Sequence, residues 1–390
     1  MKTVTLSAAY IPLVDAAPLI VAQEMGFAEA EGLSLDLVKA PSWSSVRDML
    51  AFGRVDAAHL LSPVPVAMAL GLGGVTTRLA AVSVLSVNGD VIGVSNALAD
   101  RLSASGFGFD FADARAAGEA LCRIIDKPLR IGVPFPFSMH VELLTYWLGA
   151  LGMPPDRMAV RTIPPPLMAQ ALADGEIDAF CVGEPWGSIA VEQGVGTLLL
   201  PGSAIWAFSP EKVLAVREDW AETEPHLTDR LLRALWQASH WLSRPDSLIT
   251  TAEILSRRAY LDVPTEIIDR ALEGRLVISA RGEQRQVERF LEFHAGLATF
   301  PWRSQAAWIA GQMAARAGLD RDRAIEAGRA VFRSDLYRRA LKPLGAEMPA
   351  ASEKLEGAIR EPMAQAAVEG AVQLLPDTFF DGRIFDPTQP

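Results

Sequence analysis

From residue 3 to residue 182 the apolar positions of the chain switch between two periods. Short runs at 3–10, 34–38 and 55–61 read as strands, and stretches at 17–25 and 44–52, with apolar residues every three or four positions, read as helices. Strands alternating with helices predict a parallel sheet with right-handed crossovers. The run 80-AAVSVLSV-87 then passes through Asn88-Gly89 into 91-VIGVSNAL-98. After it the alternation begins again: helix 112–126, strand 129–135, helix 139–151, strand 159–163, helix 166–174, strand 176–182. Two octapeptides mark the correspondence. Residues 53–60 read GRVDAAHL and residues 175–182 read GEIDAFCV, each closing a helical stretch and each running on into turn-formers, 62-SPVP-65 and 183-GEPWG-187. The repeated unit is a helix, a Gly stop and a short buried strand, so two α/β lobes built on one plan are expected.

The stretch 212-KVLAVREDW-220 reads as a strand returning to the first lobe. Beyond it the pattern is helical, at 225–243, 248–258, 265–274, 283–298, 304–317, 320–331 and 334–342, and the tail from residue 373 is rich in turn residues. Lobe I is therefore expected to comprise 1–92 and 210–390, including the helical C-terminal part. Lobe II is 97–205, with crossing segments near 87–97 and 204–214. Two lobes joined by two crossings enclose a cleft. Ligands of open α/β sheets sit at the carboxyl ends of strands against helix N-termini, and the unpaired N–H groups and dipole there suit small anions. The segments in those positions are 41-PSWSS-45, 61-LSP-63, 134-PFPFSMH-140 and 183-GEPW-186.

Charge and cysteine content narrow the classes. The 390 residues carry a formal net charge of −11, which argues against direct contact with nucleic acid, since phosphate binding needs a basic face. Cys122 and Cys181 form neither a disulfide framework nor a metal-type spacing, and Cys181, inside an apolar run, reads as a small buried hydrophobe. No apolar run approaches the roughly 18 residues of a membrane helix, and Pro12, Asp15 and Pro18 break up the apolar N-terminal stretch. A cytoplasmic location without membrane insertion is expected, or a periplasmic one if a signal peptide has been removed. The chain has no G-x-S-x-G elbow, no H-E-x-x-H and no P-loop. No catalytic residue, cofactor or metal is expected, and an enzyme on the same fold is the rival from a different class.

At the cleft segments the chain becomes recognisable. YIPLVDAAPLIVAQEMGF, the SW pair, AHLLSP, the His after a strand-to-helix turn, IPPPLMAQ, DAFCVGEPW and W-x3-PEKVL-x-VREDW resemble the nitrate- and bicarbonate-binding proteins of ABC importers. FPWRSQAAW, FRSDLYRRA and FFDGRIFDP in the tail match as well, so the similarity runs from about residue 5 to 388. The resemblance implies a two-lobe periplasmic-binding-protein fold of type II with a helical C-terminal extension. Members without an export signal resemble NasS, a cytoplasmic nitrate/nitrite sensor expected to hold a NasT-like antiterminator until the anion binds. The expectation is thus a nitrate or nitrite sensor with a regulator as partner; the alternative is the periplasmic binding subunit of an importer.

The family's pocket uses a Trp, an amide, a His, a backbone Gly and a Lys. By the resemblance these fall on Trp43, Asn88 or its neighbour, His140, Gly183 and Lys212. Each has an ordinary structural reading too. Trp43 could be a core aromatic, His140 a satisfied buried ring, Gly183 a turn residue and Lys212 a snorkelling edge lysine. In bicarbonate-binding relatives an acidic residue and calcium are expected in place of the lysine, so Lys212 favours nitrate or nitrite. Trp186 and Trp206 read as cleft walls or hinge packing, and His59 as a packing or capping residue. Asp90 is discordant, because it stands where a neutral amide would serve. Two like charges about 5 Å apart repel by roughly 3 kcal/mol at an effective dielectric near 20, which removes about two decades of affinity. The expectation is that Asp90 points away and Asn88 donates; a protonated Asp90, or a ligand other than plain nitrate, are the alternatives.

Overall fold

The computed structural model describes residues 3–389. Its strands, in chain order, are β1 (Val4–Tyr10), β2 (Leu33–Lys39), β3 (Ala57–Leu61), β4 (Leu79–Asn88), β5 (Asp90–Ser95), β6 (Leu129–Val133), β7 (Met158–Thr162), β8 (Ala179–Gly183), β9 (Gly196–Pro201) and β10 (Pro210–Arg217). They form two main sheets. One has the order β4-β10-β3-β1-β2, with the short strand Leu291–Glu292 on the free side of β4, and the other has the order β9-β5-β8-β6-β7. The sheets share a plan. In each, three strands pair in parallel, β2-β1-β3 and β7-β6-β8, and a fourth, β10 or β5, runs antiparallel beside the third.

That shared plan explains the repeated octapeptide. Gly53 and Gly175 end their helical stretches at φ 68° and 67°, a left-handed conformation that costs glycine no Cβ clash. The aspartate three residues on then clamps the neighbouring strand. Asp56 Oδ2 accepts the Ser7 N–H at 2.8 Å and the Ser7 hydroxyl at 3.0 Å. Asp178 Oδ2 accepts the Arg130 N–H at 3.1 Å and its Nε at 2.9 Å. Each aspartate also donates its own backbone N–H to the same neighbour, at 2.9 and 2.8 Å. The carboxylate therefore fixes where the third strand enters beside the first, and the apolar residues that follow are wholly buried.

The chain passes from the first sheet to the second at Gly89, between β4 and β5, and returns between Pro201 and Pro210. Each sheet thus receives its antiparallel strand from a crossing. Three helices sit where the sequence reads as turn or strand: Pro63–Ala69, Asn96–Ala104 and Trp186–Glu192. Proline opens the first and precedes the third, and the Ser95 hydroxyl caps the second by accepting the Leu98 N–H. Residues that punctuate a sequence here begin helices.

The stretch 283–298 is not the expected helix. Gln284–Gln286 pairs with Arg275–Val277, Leu291–Glu292 joins the edge of β4, and Ala295–Leu297 forms one 3-10 turn. Left-handed backbone at Arg289, Gly296 and Leu297 interrupts any helix there. The C-terminal third makes contacts with both sheets. On the first side, the Tyr10 hydroxyl donates to Ala259 O and the Ala81 N–H to Val331 O. On the second, the Leu198 N–H donates to Ile278 O at 2.8 Å, and Arg316 makes two hydrogen bonds to the buried carboxylate of Glu142. Among the described residues no helix is long and apolar enough to cross a membrane.

Candidate binding site

The carboxyl ends of the parallel strands of both sheets meet where the crossings lie, and a cluster of buried charges gathers there. After β1 a short 3-10 turn, Val14–Ala16, carries Asp15. After β2 the helix Trp43–Ala51 begins, fixed by the Ser42 hydroxyl, which accepts the Ser45 N–H at 3.2 Å. His59 lies within β3, while Glu211 and Lys212 open β10 alongside it. From the second sheet come Asp90 at the head of β5, Gly183 at the end of β8 directly opposite, and His140 in the first turn of the helix Met139–Ala150. That helix is capped by the Ser138 hydroxyl, which accepts the Val141 N–H. The lobes touch here. The Val14 N–H donates to Glu184 O at 2.9 Å, and the Trp186 indole donates to Pro12 O at 2.9 Å.

Lys212 is the centre of the cluster and is fully buried. Its ammonium lies 2.7 Å from Asp15 Oδ2 and 2.8 Å from Glu211 Oε1, and 5.5 Å from the centre of the Trp43 ring. Asp15 Oδ1 takes a second partner, His59 Nε2, at 2.9 Å. Burial alone would raise the Asp15 carboxyl, but the Lys212 charge and the His59 hydrogen bond outweigh it and hold the group down at about 2. Burial raises Glu211 despite Lys212, and lowers His59 despite Asp15. Burial likewise pushes His140 down to about 3, so its ring is neutral near pH 7. The 3.4 Å approach of His140 Nδ1 to Glu211 Oε1 is therefore a polar contact and not an ion pair.

Several walls of the cluster have no protein partner. These are both ring nitrogens of His140, the Trp43 indole N–H, His59 Nδ1, Glu211 Oε2 and Asp90 Oδ1. A buried polar group left unpaired costs about 1–3 kcal/mol. A concentration of them on facing elements of two lobes is the mark of a site shaped for a small polar ligand. Among the described residues no set of three or more His, Cys, Asp or Glu could hold a metal ion.

The structure brings Trp43, Asp90, His140, Gly183 and Lys212 together and sets Asn88 apart. Asn88 donates its amide to Ala207 O at 2.9 Å and to Arg289 O at 3.3 Å, and its amide oxygen accepts the Ser209 N–H at 3.0 Å. It holds one crossing segment against the other, in a left-handed conformation (φ 59°) that asparagine tolerates well. Asp90 is the side chain turned inward. Cys181 Sγ donates to its Oδ2 at 3.4 Å, so the cysteine is a weak donor as well as a small hydrophobe. The expected orientation of the pair is reversed. Gly183 lies against the other lobe: an added Cβ would meet Leu13 at 3.3 Å and Asp15 Oδ2 at 3.5 Å. Trp206 stacks on Phe379 and packs at a tilt against Trp308. Asp15 and Glu211 are members that the sequence reading did not single out. Their signal was an acid inside an otherwise apolar stretch, and an acid paired with a base at the mouth of an apolar strand.

Two sheets of one plan, with buried unpartnered polar groups from both where they meet, make the two-lobe periplasmic-binding-protein type II fold of solute-binding proteins, here with a helical C-terminal extension. The chain belongs to the NMT1-like family, whose model matches residues 1–256. It is similar to the nitrate/nitrite binding protein NrtA of Nostoc sp., at 31% identity over 100% of this chain and 84% of that protein. It is also similar to the bicarbonate-binding protein CmpA of Synechococcus elongatus, at 28% identity over 100% of this chain and 86% of that one. The crystal structure of the periplasmic nitrate-binding protein NrtA from Synechocystis matches with a TM-score of 0.84 and 28% identity, covering 100% of this chain and 97% of that chain.

Proposed function

We propose that this protein binds nitrate or nitrite without catalysis, as the periplasmic anion-binding subunit of an ABC-type importer. The anion enters between the two sheets and is held by groups of both, so that it favours the closed arrangement by its differential affinity for that state. The observation that carries the reading is the buried Lys212, flanked by the unpartnered indole of Trp43 on one lobe and the unpartnered imidazole of His140 on the other. Gly183 keeps the backbone of the second lobe close to this point, and Asp90 completes the wall. A sensor that releases an antiterminator would use the same closure. Similarity to the nitrate/nitrite and bicarbonate binding proteins favours transport over that reading.

Calorimetric titration with nitrate, nitrite, bicarbonate, sulfate and chloride tests the proposal. Nitrate or nitrite is expected to bind one-to-one and to raise the melting temperature, by about 2.7 kcal/mol of stability at a hundred times the dissociation constant. Sulfate, doubly charged, is expected to show no binding. His140→Ala, which leaves the Lys212 ion pairs in place, should weaken the anion by about 10-fold or more. Unchanged affinity in that variant rules out the pocket.

A further inference from the structure

Two carboxylates already share the Lys212 ammonium, so the cluster is not positive before an anion arrives. A third carboxyl, that of Asp90, faces the same space. The groups around it come from every neighbouring element: Glu211 and Lys212 from β10, His140 from its helix, and Cys181 from β8. Below it lies Gly202, where an added Cβ would fall 2.3 Å from Oδ1, so the chain leaves just enough room for this carboxyl at the crossing back to β10. Its Oδ2 has the Cys181 thiol as a weak donor and its Oδ1 has no partner. An ionised Asp90 thus has neither a strong donor nor a cation of its own.

We propose that the site takes its anion together with one proton, held by Asp90, so that a carboxyl O–H and not a carboxylate meets the anion. This rests on the reading of the cluster as an anion site. Nitrate and nitrite offer acceptor oxygens, and a protonated Asp90 supplies from its unpartnered oxygen the donor that a neutral amide would supply at this position. An ionised Asp90 about 5 Å from the anion would cut affinity about a hundredfold. Burial, reinforced by Glu211, already lifts this carboxyl to about 6, so the added proton is within reach near neutral pH. Bicarbonate carries a proton of its own and would meet Asp90 without drawing one from solvent.

The test is calorimetry of nitrate and nitrite binding from pH 5 to 8.5, repeated in buffers of different ionisation enthalpy. Affinity is expected to fall about fivefold per pH unit between pH 6 and 8, toward a hundredfold in all, with about 0.8 proton taken up per anion at pH 7 and about half a proton at pH 8. In Asp90→Asn the pH slope and the proton uptake should both vanish, and affinity at pH 8 should exceed that of the wild type. Bicarbonate, if bound, should show no linked uptake. Wild-type binding that is flat in pH, with no proton exchanged, overturns the inference while leaving the anion pocket standing. If Glu211→Gln removes the slope and Asp90→Asn does not, the proton belongs to Glu211 and the assignment fails. Absence of nitrate and nitrite binding at every pH brings down the pocket and this inference together.

Discussion

Among the described residues two lysine side chains are enclosed, each between two carboxylates and each beside a tryptophan. Lys354 sits in the C-terminal third, with Glu356 Oε2 at 2.6 Å, Asp377 in contact and the Trp302 ring centre 5.8 Å away. Every carboxylate oxygen there has a hydrogen-bond donor. The Ser304 hydroxyl donates to Glu356 Oε1 at 2.6 Å and the Ile359 N–H to Asp377 Oδ1 at 2.8 Å. Lys212 has the same neighbours by type, yet Glu211 Oε2 has no donor, and two histidines and a third acid stand beside it with unpartnered atoms. One lysine closes a staple whose carboxylate oxygens are all paired and whose one unpartnered neighbour is the Trp302 indole N–H. The other lies in a network left open on the side where the lobes meet. Burial and pairing alone do not distinguish a site from a brace; the count of unmet hydrogen-bonding groups does.

The largest effect expected from that contrast is on folding. Lys354→Met strands two buried carboxylates and should cost about 3–5 kcal/mol of stability, read by urea denaturation, with anion affinity per folded molecule unchanged. Lys212→Met strands Asp15 and Glu211 and should carry a folding cost of the same order, but it alone should in addition remove about 2–5 kcal/mol of binding free energy, read by calorimetry on the folded fraction. Wild-type affinity in that variant would erase the distinction between the two clusters.

Acid sharpens the contrast. Asp15 is held near 2 against an ordinary value of 3.8, so it contributes stability above about pH 4 that is lost as pH falls toward 2. The amount is of order 2 kcal/mol, and Asp15→Asn should flatten that part of the acid-denaturation curve. The smallest effects are on the two indoles. Trp43→Phe should weaken the anion about tenfold by removing one N–H donor to a charge, whereas Trp302→Phe should leave binding within error. Equal responses from the two would mean that Trp43 is packing alone.

How far the sequence reached can be judged element by element. The alternation of strands and helices up to β8 follows the 2.0 and 3.6 periods closely, since those periods record which face of each element is buried. The octapeptide repeat likewise marks a local clamp, Asp56 on Ser7 and Asp178 on Arg130, that any chain of this plan must solve twice. Around residues 283–298 the periodicity misled, because the backbone partners of that stretch lie on the edge of β4, far away in sequence.

The site divides in the same manner. Trp43, His140, Gly183 and Lys212 stand at strand ends and helix starts, positions that local pattern and resemblance mark. The opposed fates of Asn88 and Asp90, two residues apart at the crossing between sheets, were not readable. Alternation along a strand says that neighbours face opposite ways, but positive φ at Asn88 itself and at Gly89 after it breaks the alternation. The sequence by itself determined the two lobes, their shared plan and the strand ends where chemistry collects, because these follow from local period and turn residues. That Asp15 joins Glu211 on Lys212, and that the two leave it no charge to spare, was decided by the tertiary structure, because electrostatic neighbours are set by distances in space between elements far apart in sequence.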